Sequence, residues 1–82
     1  MTTSPAVNFE AAVASSNSEI TVSLSGAEGQ KVSLKVGGRW FVVYPSNSQE
    51  EFRTVSIAGE TVAIDVYLNA VFWGSLTTIV QD

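Results

Sequence analysis

The one acidic grouping with the makings of a reaction is Glu50-Glu51 together with Asp65, since a pair of carboxylates can drive glycoside hydrolysis. Adjacent strand residues point to opposite faces, however, and so short a chain offers little cleft in which two carboxyls could stand at working separation. Histidine and cysteine are both absent. That removes the commonest general base, the commonest metal ligand and the thiolate nucleophile together, and serine triads with them. No loop of the D-x-D-x-D type offers a calcium site, and the glycines lack phosphate-loop spacing. The chain is therefore expected not to be an enzyme and to carry no catalytic, cofactor-binding or metal-binding residue.

Aromatic residues are the stronger candidates. Trp40-Phe41-Val42-Val43-Tyr44 and Val71-Phe72-Trp73 place bulky apolar groups at consecutive positions. If these runs are strands, each buries one face and offers the other to something else. The plainer reading puts both on central strands whose outer face is covered by the N-terminal segment. The candidate interaction surface is Trp40, Tyr44, Phe72, Trp73 and Phe9, because aromatic side chains make good anchors for a protein partner or a second copy. The alternative is a sugar ring stacked on Trp40, Tyr44 or Trp73, with Arg39, Asn47 and Gln49 supplying hydrogen bonds.

Eighty-two residues suit one small domain, and a chain of this size buries only about 60% of the surface its unfolded form exposes. With no cysteine to cross-link it, the core or a partner must stabilise the fold. Eight carboxylates against four cations leave a net charge of −4, which disfavours nucleic acid because no basic surface can displace its counterions. The N-terminus has neither a positive region nor an apolar block of signal-peptide length, and no run reaches the roughly 18 apolar residues of a membrane helix. A soluble chain without membrane insertion is expected, and these features leave its compartment open, an extracellular or virion-associated setting among the options.

The elements that would position the aromatics are strands. Val62, Ile64, Val66 and Leu68 alternate with Thr61, Ala63, Asp65 and Tyr67, the period of two that turns one face to a core. Ile20, Val22 and Leu24 do the same, as do Val32, Leu34 and Val36 between Lys31, Ser33 and Lys35, lysines that would also guard an edge. Gly37-Gly38 can take positive φ at both positions of a two-residue hairpin turn, so Arg39 to Tyr44 should return antiparallel. Pro45 to Glu50 reads as a loop, with a strand from Phe52 or Arg53 through Ile57. Asn69 marks a turn before a last strand, Val71 to Val80. Residues 1–18 read as an N-terminal arm or a first strand, with Val7, Phe9, Ala11 and Val13 on one side and Ser15 to Ser18 as a loop. A helix opened by Ser4-Pro5 is the competing pattern there. Residues 19–82 form a single domain. Its core should contain Val22, Leu24, Val32, Leu34, Val55, Ile57, Val62, Ile64 and Val66.

The chain also resembles itself. Thr21-Val22-Ser23-Leu24-Ser25-Gly26 matches Thr54-Val55-Ser56-Ile57-Ala58-Gly59, and Gly29 to Val36 matches Gly59 to Val66, which suggests two three-stranded meanders. Six strands, or seven with the N-terminal one, at turn-separated spacing imply an all-β antiparallel sandwich. A small six-stranded barrel is the alternative. The run Thr54-Val55-Ser56-Ile57, Gly59, Val62-Ala63-Ile64-Asp65-Val66-Tyr67 resembles the ends of immunoglobulin-like and fibronectin-like modules of bacterial surface and phage proteins. That resemblance implies a noncatalytic structural or interaction module within a larger surface or virion assembly, or a small self-associating β protein. Carbohydrate binding through exposed aromatics is the alternative. Self-association is expected through a strand edge or an aromatic sheet face, with residues 6–13 shared across the flexible run Ala14 to Ser18.

Overall fold

The fold comes from a computed structural model, which describes residues 8–82. Seven strands run in chain order as β1 (Glu10–Ser16), β2 (Glu19–Ser25), β3 (Val32–Val36), β4 (Arg39–Val43), β5 (Gln49–Val55), β6 (Thr61–Leu68) and β7 (Val71–Ile79). All pairings are antiparallel, and they make a three-stranded sheet ordered β1-β2-β5 and a four-stranded sheet ordered β4-β3-β6-β7. The all-β sandwich is thus as the alternation implies; the sheets do not close into a barrel, and no helix occurs among the described residues.

Three hairpins are closed by two-residue turns with positive φ at both positions: Asn17-Ser18, Gly37-Gly38 and Asn69-Ala70. This is the turn whose twist matches that of paired strands. Only the Gly-Gly pair advertises it fully in sequence. The turn at Asn17-Ser18 shows that β1 runs two residues beyond Ala14, where a flexible link was expected, and pairs with β2 from Glu10↔Ser25 to Ser16↔Glu19. The N-terminal stretch from Glu10 is therefore a first strand of its own sandwich, hydrogen-bonded to its own neighbour. The alternatives placed on residues 1–7, including the helix start at Ser4-Pro5 and the inward place of Val7, lie outside the described residues.

The core is the set of inward residues of β2, β3 and β6. Ile20, Val22, Val32, Leu34, Ile64 and Val66 are fully buried, with Phe9, Leu24, Ala27, Leu68 and Val80 nearly so. Two expected core members are absent. Val55 is 76% and Ile57 67% exposed. The strand here starts at Gln49, inside the expected loop, and its inward residues are Glu50, Phe52 and Thr54. The opposite phase would have turned Glu51 and Arg53 into the apolar interior, at a desolvation cost of several kcal/mol per ion, by order of magnitude. Phe52 goes in instead, ring to ring with Phe41 at 4.9 Å, and Glu51 and Arg53 pair outside at 2.6 Å.

This phase also revises the internal repeat. The hairpins β3-β4 and β6-β7 do sit side by side around the β3–β6 pair, in which Lys35 lies opposite Asp65. But β2 and β5 belong to the other sheet, so there are no three-stranded meanders. The matched Val22 and Val55 face opposite ways, buried in one case and exposed in the other. Likewise β3 is an interior strand, so Lys35 within it and Lys31 just before it guard no edge.

Candidate functional site

Sheet pleating sorts the aromatic runs. In β4, Phe41 and Val43 pack against the core while Trp40 and Val42 face out, 56% and 52% exposed, with Tyr44 beyond them. In β7 a bulge intervenes. Val66 pairs with Gly74 and Tyr67 with Phe72, so Trp73 is an extra residue with no partner across the ladder. The extra residue lets Trp73 turn inward against Phe9, ring centroids 5.4 Å apart and planes at 82°, while Phe72 stays on the outer face beside Tyr67.

The outer face of the four-stranded sheet therefore carries a cross-strand row, Val42–Ser33–Tyr67–Phe72, and beside it a second row, Trp40–Lys35–Asp65–Ser75. Ser33 is small, and the Trp40 ring leans across that gap to meet Tyr67 at 5.3 Å with a tilt of 48°. Tyr67 in turn meets Phe72 at 5.3 Å and 66°. The three rings form one strip over β4, β6 and β7. Lys35 places its ammonium 5.6 Å from the Trp40 ring, a favourable cation–π position. The Ser75 hydroxyl donates to the Asp65 carboxylate at 2.7 Å. An apolar strip with a polar row along one side is the result.

Of the expected surface, Trp40, Tyr44 and Phe72 share this face. Trp73 and Phe9 do not. Trp73 is half-buried against the core and Phe9 is 2% exposed, so both are corrected from surface to interior contacts. Tyr67 is the member that reading by composition passed over. The signal was present, because Tyr67 alternates with Val66 and Leu68 and so belongs to the face opposite the core. Nor, among the described residues, does an N-terminal strand cover the aromatic face: β1 lies in the other sheet.

The acidic grouping does not assemble. Glu51 is engaged with Arg53 on the three-stranded sheet, while Asp65 holds Ser75 on the outer face of the other. Glu50 and Glu51 border a shallow trough of about 430 Å³ floored by small residues such as Ala12, Ser23 and Ser25, with Glu10 at its far side. Among the described residues, no three acidic side chains gather where a metal ion could be held. No family model matches the chain, and no curated protein or solved structure matches it either.

Proposed function

We propose that the chain is a noncatalytic interaction module of immunoglobulin-like build, joined into a larger surface or virion assembly through the aromatic face of its four-stranded sheet. The strand order supports the build. Strands one, two and five in one sheet, with three, six and seven adjacent in the other, follow the A-B-E and C-F-G pairings of immunoglobulin-like sandwiches, β4 lying outside the C-equivalent strand.

The observation that carries the functional reading is the Trp40–Tyr67–Phe72 strip. These rings stay outside while other aromatic residues, Phe9, Phe41, Phe52 and Trp73, pack with the aliphatic core, and Trp40 and Phe72 are each more than half exposed. Aromatic anchors beside a polar border are the usual make-up of a protein contact. The carbohydrate reading draws less support. A sugar stacks its flat C–H face on a flat ring, and rings inclined at 48° and 66° to one another present edges as well as faces.

A photo-crosslinking residue placed at Tyr44, and for comparison at Ala14 on the outer face of the other sheet, tests the proposal in cells that make the protein. Protein adducts at Tyr44 that disappear with Trp40→Ala, and none at Ala14, are expected. Equal adducts at both positions, or a glycan-array signal abolished by Trp40→Ala without protein adducts, would overturn it.

A further inference from the structure

The two seams of the sandwich differ. On one side β1 lies against β7, and the Phe9–Trp73 contact closes the gap between the sheets. On the other side the Phe41–Phe52 ring pair bridges β4 and β5, and beside it a cavity of about 260 Å³ stays open, lined by Ile20, Val36, Phe41, Thr54 and the exposed Val55 and Ile57. At this seam β5 has β2 on one side and, among the described residues, no strand on the other.

We propose that two copies of the chain join edge to edge through β5, antiparallel and centred on Phe52, so that Glu51 of each copy lies opposite Arg53 of the other. The charges select both strand and register. β1 carries only an acid, β4 only a cation and β7 no charge at all, besides its bulge. Of the edge strands, β5 alone holds both signs on one face, Glu51 and Arg53, each largely exposed. Opposite charges directly across an antiparallel pair attract and like charges repel. Sliding the second copy by two residues sets Glu51 against Glu51 in one direction and Arg53 against Arg53 in the other. Centring on Phe52 makes both cross-chain pairs favourable at once, as a two-fold contact requires. The same register puts the half-buried Glu50 opposite the Thr54 hydroxyl, and brings the second Phe52 to the Phe41–Phe52 cluster at the open seam. The product is a six-stranded sheet, β1-β2-β5-β5-β2-β1, with the unpaired edge of β5 removed. This contact uses a different surface from the aromatic face, so neither proposal depends on the other.

Sedimentation of the full chain over a range of concentrations, with Glu51→Arg and Arg53→Glu variants, tests it. Both positions are exposed, and circular dichroism checks that each variant keeps the fold. Wild type should dimerise. Each single variant sets like charges face to face twice and should dimerise roughly tenfold more weakly or worse. An equimolar mixture should recover a mixed dimer, because one variant then presents only cations and the other only carboxylates; native mass spectrometry identifies the mixed species by mass. A wild type that stays monomeric at high micromolar concentration would overturn the proposal. So would variants that dimerise as well as wild type, a mixture without mixed dimers, or a dimer lost in Trp40→Ala but kept in Glu51→Arg.

Discussion

Trp73 meets Phe9 edge-on, 5.4 Å between ring centroids, because the bulge in β7 gives this one residue an inward turn that regular alternation would assign differently. The contact links the last strand of one sheet to the residue that leads into the first strand of the other. Phe9→Ala removes a side chain that is 2% exposed and should cost about 3–5 kcal/mol, a large part of the stability of a domain this small. Urea unfolding measures it, and a loss under about 1 kcal/mol would mean that Phe9 does not close this seam.

The two tryptophans should behave oppositely. Trp40 is 56% exposed, so Trp40→Ala forfeits little more than its ring contacts with Tyr67 and Lys35, about 1 kcal/mol. Trp73→Ala opens a gap beside Phe9 and should cost about 3 kcal/mol. Equal losses in thermal or denaturant unfolding would contradict the placement of the two rings on opposite sides of the sheet.

The phase of β5 can be tested by substitution on its two faces. Val55→Thr and Ile57→Thr lie outside the core and should change stability by no more than about 0.5 kcal/mol. Phe52→Ala, on the inward face, should cost about 3 kcal/mol through loss of its packing with Phe41. The reverse ranking would restore the alternative phase.

Gly26 and Gly29 separate backbone conformation from close packing. Both have positive φ, +82° and +76°, so an Ala at either is strained. At Gly26 a Cβ would also run into the backbone carbonyl of Asn8, whereas at Gly29 it meets open space. Gly26→Ala should therefore lose at least about 1 kcal/mol more than Gly29→Ala. Matching melting curves would remove the Asn8 contact from the account.

Ala70 invites improvement. It holds φ +69° in the β6–β7 turn, a conformation that costs an L-residue with a Cβ and suits glycine. Ala70→Gly creates the Asn-Gly turn and should raise stability by about 0.5–1 kcal/mol. A lower melting temperature for this variant would show that the turn is held differently. Asn69 itself should not be replaced, because its side chain accepts from the Lys31 backbone N–H and donates to Gln30, tying the turn to the entry of β3.

Much of the fold is written locally in the chain. Period-two alternation marks β2, β3 and β6 and names their buried residues, because the pleat leaves each side chain only two directions. Gly37-Gly38 announces its hairpin, because few residues tolerate two successive positive φ values. The outward place of Trp40 and Tyr44 follows from the same alternation.

Other features depend on neighbours distant in sequence. The stretch from β5 to the following turn offers apolar residues on both faces, Phe52 on one and Val55, with Ile57 just beyond the strand, on the other, so its pattern alone is ambiguous. Phe41 from β4 and the need to keep Glu51 and Arg53 in water decide between them. The inward turn of Trp73 needs a bulge whose register exists only once β6 is paired. The strip of Trp40, Tyr67 and Phe72 likewise forms only when β4, β3, β6 and β7 lie side by side, because cross-strand contacts are set by the order of strands in a sheet and not by spacing along the chain.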